Sequence, residues 1–182
     1  QFCASLIPTS KKTALSKKYG VRINWIPLGI GGSHLVNLPG KDPLFMDRVL
    51  IVDADTTVPN DAAARGNTVK LPNVPGTRGV ARSLENTIKQ FLRDISAAQD
   101  GSLHEALLAL NTVNPSSDKI HVNFFPDGSG DSTERTKTKA WWTKHWPKLK
   151  RWGVIQQWAT VYQAEVDAFE VAFENAVAHT AA

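Results

Sequence analysis

The sequence predicts an α/β fold in which a parallel sheet is flanked by helices and followed by a helical C-terminal extension. The first indication is residues 48–53, a continuous apolar run of the kind buried on both faces of a parallel sheet. The second is a set of apolar positions at helical spacing that begins after Ser83. Strand patterns and helix patterns alternate along the first hundred residues, which is typical of parallel α/β proteins.

The first half of the chain supplies the predicted strands. Residues 11–19 form a short basic helix that Gly20 ends. Residues 21–28 alternate between apolar and polar side chains, which predicts a strand followed by a glycine turn at 29–33. The apolar run at 48–53 is the next strand, and residues 67–72 are a further short strand before a Gly/Pro-rich loop at 72–79.

The second half is predicted to be mainly helical. A helix begins at Ser83 and a second covers residues 103–110, whereas residues 121–125 form a strand or an extended connection. After a loop at 127–133 comes a basic, tryptophan-rich helix. Residues 154–178 place apolar side chains at helical spacing, so we expect one long amphipathic helix there. The predicted division is an α/β domain at 1–133 and a helical region at 134–182.

Composition excludes several classes of protein. With Cys3 as its lone cysteine, the 182-residue chain cannot be an internally cross-linked disulfide scaffold. No apolar run reaches the ~18 residues that span a bilayer, and no signal-peptide pattern is present, so we expect a soluble, cytoplasmic protein without a membrane partner. Because the sequence begins with Gln1 rather than Met and enters an apolar stretch at once, we expect a part of a longer protein.

Two carboxylates follow the clearest predicted strand. Asp53 and Asp55 stand at its carboxyl end, where parallel sheets place their ligand sites. Carboxylate oxygens suit Mg²⁺ or Mn²⁺, which indicates a metal site. An equally weighted interpretation is that these acids only form a turn. Ser83 and Glu85, at the start of the next helix, also have two interpretations. In the first, Glu85 is a third carboxylate of the metal site and Ser83 lies beside it. In the second, Ser83 is the N-cap of the helix and Glu85 is an acid in its first turn.

A cluster of positive charge lies in residues 135–151 and contains no acid. Its bases are Arg135, Lys137, Lys139, Lys144, Lys148, Lys150 and Arg151. Tryptophans are interleaved with them, a pattern that fits a track for a polyanion such as DNA, although a solvated cationic helix face is the simpler interpretation. Because Trp141 and Trp142 are adjacent, they cannot face one surface, and we expect at least one of them in the core.

The order of these motifs resembles the Toprim domain of the OLD (overcoming lysogenization defect) family of ATP-dependent endonucleases, which includes the Gabija-like defence nucleases. The resemblance covers nearly the whole chain. The matching segments are Ile26-Pro27-Leu28-Gly29, Val49 to Asp55, Asn67 to Pro72, Ser83-Leu84-Glu85-Asn86, Arg135 to Trp142, and the helical segment from Trp158 to Phe173.

The resemblance implies a metal-dependent endonuclease or nickase acting on DNA with Mg²⁺ or Mn²⁺, in a two-metal site. It gives Asp53, Asp55 and Glu85 as metal ligands, Ser83 as a supporting residue and Lys139 as the catalytic lysine. The basic residues that would bind DNA are Arg135, Lys137 and Lys144. It further implies an ATPase domain upstream or in a partner chain, a homo-oligomer, and a role in phage defence or DNA processing.

One departure from the Toprim pattern bears on activity. Toprim sites also use a glutamate at the end of a first strand, and no glutamate precedes Glu85 here. We therefore expect that strand to lie upstream of Gln1, and the isolated chain to be inactive if the missing glutamate is essential.

Two other functions fit parts of the sequence. Asp53, Asp55 and Thr57 match the Asp-x-Asp-x-Thr motif of haloacid dehalogenase-like phosphatases, with Asp53 as nucleophile and residues 130–132 resembling a later acidic motif of that family. That nucleophile usually lies near the start of its fold, and the basic helix would go unexplained. The other alternative is a degenerate, non-catalytic Toprim module for assembly or DNA binding.

Overall fold

A computed structural model describes residues 2–74, 82–126 and 134–182. The predicted loop at 127–133, with residues 130–132, and most of the loop at 72–79 lie outside these residues. The described residues are mostly helical, 64%, with a small two-stranded parallel sheet, which is compatible with the coarse α/β prediction. In the described part of the chain, no helix combines the length and apolar character needed to cross a bilayer.

The described elements are α1 Phe2–Leu6, α2 Thr9–Tyr19, α3 Gly32–Leu35, a 3₁₀ turn Pro43–Phe45, β1 Leu50–Val52, α4 Asn60–Ala64, β2 Thr68–Lys70, α5 Leu84–Ala97, α6 Gly101–Val113, a 3₁₀ turn Ser117–Lys119, α7 Ile120–Phe124, α8 Arg135–Arg151, α9 Val154–Val161 and α10 Gln163–Ala181. They form two compact units. The first contains the described residues up to Arg82 together with Ala164–Ala182, and the second contains Ser83–Gln163. The domain boundary predicted between 133 and 134 stays a prediction.

The first unit is built around two parallel strands. Leu50 of β1 pairs with Thr68 of β2, and Val52 pairs with Lys70. Beneath the sheet, a core of buried apolar side chains joins β1 to the short helices, its members being Leu35, Val36, Leu50, Val52 and Ala62. Buried Asn67 holds the segment that leads into β1, because its side-chain amide donates to the carbonyls of Phe45, Met46 and Arg48. The strand predictions at 48–53 and 67–72 are confirmed in shorter form.

Two helices from opposite ends of the chain also pair within the first unit. The predicted basic helix is present as α2, and Gly20 ends it in the left-handed conformation, with φ 67°, that a residue without Cβ adopts most readily. Lys11 Nζ lies 2.6 Å from Glu170 Oε2 of α10, and Lys18 Nζ lies 2.9 Å from Glu174 Oε1.

The elements described in the second unit are all helical and pack around α5. Ser83 caps this helix by accepting a hydrogen bond from the Asn86 backbone N–H, as the sequence predicts. The buried face of α5 includes Ile88, Phe91 and Leu92, and the helix contacts α6, α7, α8 and α9.

The predicted strand at 21–28 is wrong. The segment is extended but belongs to no strand of the described structure. The alternation of apolar and polar side chains in this segment reflects packing and not strand pairing. Its half-buried residues are Val21, Ile23 and Trp25, and the residues between them are exposed. The Trp25 ring lies 5.6 Å from that of Phe173 in α10.

Two predictions for the second half of the chain are also wrong. Residues 120–124 form helix α7 where a strand or extended connection was expected, because Ile120 and Phe124, one helical turn apart, are both buried. The expected single helix at 154–178 is broken at Tyr162, which has φ −112° and ψ 46°. The Tyr162 ring contacts Trp158 and Phe91 of the second unit, whereas α10 belongs to the first.

Candidate functional site

Two of the three predicted metal ligands, Asp53 and Asp55, lie on one turn at the carboxyl end of β1. The Thr56 backbone N–H donates to the Asp53 carbonyl at 3.0 Å, which bends the chain directly after the strand. Asp53 is half-buried and Asp55 is exposed. Because β2 is parallel to β1, its carboxyl end and the exposed Lys70 reach the same edge of the sheet. The sequence-predicted pair is therefore at the edge where parallel sheets bind ligands.

The predicted glycine turn packs directly against this acidic turn. A Cβ placed on Gly32 would overlap Thr56 Oγ1 and lie 2.9 Å from its Cγ2, so only glycine permits the approach. Gly32 begins α3, and α3 contacts β1. Sequence reasoning identified the glycines as a turn but missed Thr56 as their contact, because no sequence spacing links positions 24 residues apart.

Gly32→Ala is expected to destabilise the first unit by about 1–3 kcal/mol, because the added methyl group overlaps the Thr56 side chain. Urea unfolding followed by circular dichroism measures the change. Adding Thr56→Ala removes Oγ1 and Cγ2, so the double variant should recover most of the loss. A Gly32→Ala protein as stable as its parent contradicts the close contact.

Sequence reasoning assigned no role to Cys3, whose thiol is affected by the charge of the acidic turn. Burial raises the pKa of the Cys3 thiol, and the negative charge of Asp53 adds to the increase. The thiol therefore stays protonated at neutral pH and is a poor nucleophile.

Ser83 is the N-cap of α5 in the second unit, and Glu85 lies in the first turn of that helix. Both are half-buried, and the Ser83 hydroxyl accepts the Asn86 N–H at 3.4 Å. Glu85 is the acid of this first turn, where the helix dipole favours negative charge. Both positions thus have a structural role that the sequence anticipated. Their part in a metal site stays a prediction from the resemblance.

The inner face of α8 is held by aromatic contacts. Trp141 is buried, and its Nε1 donates to the Phe124 carbonyl at 2.7 Å. Its ring stacks on Phe125, with centroids 5.7 Å apart and an interplanar angle of 8°. Lys89 Nζ lies 5.6 Å from the same ring. The expectation that one of the adjacent tryptophans lies in the core is confirmed.

The outer face of α8 carries the predicted DNA contacts and the predicted catalytic lysine. Arg135, Lys137, Lys139 and Lys144 are all exposed. Lys137 also lies 3.1 Å from Glu134, but both side chains are more than half exposed, so this ion pair contributes little to stability.

Trp142 and Trp146 belong to the same helix and are half-buried. Their ring centroids are 5.0 Å apart with an interplanar angle of 32°. Sequence reasoning treated the tryptophans mainly as packing residues and did not single out this pair. The available signal was their spacing of four residues, which puts them side by side on a helix.

Of the predicted site residues, Asp53 and Asp55 share one local turn in the first unit. The other predicted site residues belong to the second unit and are Ser83, Glu85, Arg135, Lys137, Lys139 and Lys144. Across residues 2–74, 82–126 and 134–182, no group of three His, Cys, Asp or Glu side chains is arranged to hold a metal ion.

Comparisons with known proteins do not identify a family. No family model matches the chain, and neither a curated protein nor a solved structure is significantly similar to it.

Proposed function

We propose that the chain is a Toprim-type nuclease domain that hydrolyses phosphodiester bonds of DNA with Mg²⁺ or Mn²⁺. The observation that carries the proposal is the position of Asp53 and Asp55 on one turn at the carboxyl end of a parallel strand. The sequence resemblance to the OLD family supports it, and so does the exposed basic helix α8.

The two carboxylates are a suitable donor set for the proposed cation. Mg²⁺ prefers oxygen ligands and is commonly held by only one or two carboxylates, with water and substrate phosphates completing its shell. A pair of aspartates therefore suffices on the protein side, and a third acidic ligand is not required for binding. A divalent ion supplies charge stabilisation and an activated water in phosphodiester hydrolysis.

Each residue has a distinct part in the proposal. Asp53 and Asp55 hold the cation at the sheet edge, and Glu85 is the further carboxylate that the resemblance provides. Lys139 offsets negative charge that develops on the phosphate, and Arg135, Lys137 and Lys144 bind the DNA backbone. The Gly32–Thr56 contact fixes the acidic turn, which keeps the two carboxylates in place.

The wider organisation is also part of the proposal. The OLD-type resemblance supports an ATPase domain, in the same or a partner chain, that works with the nuclease in a homo-oligomer. Phage defence or DNA processing is the corresponding biological role.

A hydrolysis assay on the full chain separates the proposed function from its competitors. Supercoiled plasmid and a generic phosphate monoester are incubated with Mg²⁺, with Mn²⁺ and with EDTA. We expect metal-dependent nicking or cutting of the plasmid and no turnover of the monoester. Monoester turnover would instead favour the phosphatase that uses Asp53 as nucleophile. DNA binding without hydrolysis of either substrate would favour the non-catalytic module.

A further inference from the structure

A single stripe on the outer face of α8 places two aromatic rings between cations. Arg135, Lys139, Trp142, Trp146 and Lys150 follow one another at intervals of three or four residues, so they share one side of the helix. Arg135, Lys139 and Lys150 are exposed, and the two tryptophans between them are half-buried. We call these five residues the Trp–cation stripe.

The two rings of the stripe are more exposed than the other tryptophans of the second unit. Trp141, Trp152 and Trp158 are buried, with at most 8% of each side chain exposed. Trp142 and Trp146 keep a larger exposed area and contact each other at 5.0 Å. Their positions within the stripe put a planar aromatic surface between positive charges on either side.

We propose that the Trp–cation stripe binds single-stranded DNA, with unpaired bases stacking on Trp142 and Trp146 and phosphates contacting Arg135, Lys139 and Lys150. This inference rests on the proposed action on DNA and specifies the form of the substrate. Stacking on aromatic rings beside a cationic track is how proteins hold single strands without sequence preference. Bases of an intact duplex are stacked within the helix and do not present their faces to such rings.

The dimensions of the stripe fit a short single strand. Lys139 and Lys150 are 11 residues apart, which corresponds to about 16 Å along a helix. At about 3.4 Å for each stacked nucleotide, that length spans about five nucleotides. The tryptophan pair lies between the two lysines, so a strand running along the helix meets a cation on each side of the rings.

Charge and packing favour nucleic acid over a membrane surface. Helices that lie in a membrane interface present a broad apolar face. The apolar face of α8 is already buried within the second unit through Trp141 and Leu149. The outer face carries exposed Arg135, Lys139 and Lys150 beside the tryptophan pair, and α8 contains no acid, which complements a polyanion with exposed planar bases.

Fluorescence anisotropy of labelled DNA in EDTA tests the inference without any hydrolysis. The full chain is titrated against an oligodeoxythymidine of about 20 nucleotides, longer than the stripe, and against a duplex of equal length. Trp142→Ala/Trp146→Ala should weaken single-strand binding about tenfold or more and change duplex binding much less. Trp142→Phe/Trp146→Phe keeps two aromatic rings and should retain most of the affinity.

Two single variants serve as controls. Lys144→Ala removes an exposed charge and should weaken single-strand and duplex binding to a similar extent. Leu108→Ala truncates an exposed side chain on α6 and should change neither. Thermal unfolding of each variant shows that the fold is retained.

The inference is overturned if the alanine and phenylalanine double variants bind single strands alike, or if the alanine variant loses duplex binding equally. It is also overturned if the tryptophan pair is needed for binding phosphatidylserine vesicles and not DNA. If single-strand binding requires the tryptophan pair but the protein shows no metal-dependent cleavage, the proposed nuclease function is rejected and this inference stands. Metal-dependent cleavage with unchanged binding by the alanine variant would reject this inference alone.

Discussion

Asp53→Asn is expected to reduce metal-dependent DNA hydrolysis by about a thousandfold, equivalent to about 4 kcal/mol of transition-state stabilisation. The amide has nearly the shape of the carboxylate but lacks its charge, so the acidic turn keeps its backbone while losing a ligand. Asp53 is the half-buried member of the pair directly after β1, whereas Asp55 is exposed. We therefore expect Asp55→Asn to lose less activity than Asp53→Asn.

Single-turnover cleavage at saturating protein measures the effect. Asp47→Asn is a matched control, because Asp47 is an exposed carboxylate in the segment before β1 of the same unit. It should cleave at the rate of the parent chain. Cleavage by Asp53→Asn at the parental rate would reject Asp53 as a metal ligand.

Trp141→Ala is expected to destabilise the second unit by about 3–5 kcal/mol. The substitution removes a buried ring, its stacking on Phe125 and the Nε1 hydrogen bond to the Phe124 carbonyl. It also leaves that buried carbonyl without its donor. Trp141→Phe retains an aromatic ring and loses the hydrogen bond, so its loss should be intermediate.

The adjacent Trp142→Ala is the control for this substitution. Because Trp142 is half-buried on the outer side of α8, its removal should cost less than half as much stability as removal of Trp141. Urea unfolding monitored by circular dichroism compares the three variants. Equal destabilisation by Trp141→Ala and Trp142→Ala would contradict the assignment of inner and outer faces.

The parts of the fold that sequence patterns predicted are those with a local physical cause. Gly20 ends α2 because its φ is positive, and Ser83 begins α5 because its hydroxyl accepts a backbone N–H. The apolar run after Arg48 forms a buried parallel strand, as its lack of alternation indicates. Asp53 and Asp55 were located correctly at the end of that strand because their position depends only on where the strand ends.

The parts that the sequence did not reveal depend on long-range packing. Residues 21–28 alternate like a strand, but Trp25 packs against Phe173, about 150 residues later. The break at Tyr162 has no glycine or proline to mark it and coincides with contacts of its ring to Phe91 and Trp158. The contact between Gly32 and Thr56 likewise arises from the fold and not from any motif.

The most direct test of the account is the binding of a divalent cation at the acidic turn. Isothermal titration calorimetry with Mn²⁺ is performed on the full chain, on Asp53→Asn/Asp55→Asn and on Asp47→Asn. The account predicts that the parent and Asp47→Asn take up Mn²⁺ alike and that the double variant loses this binding. Equal uptake by the parent and the double variant, or no uptake by either, would contradict the proposed metal site.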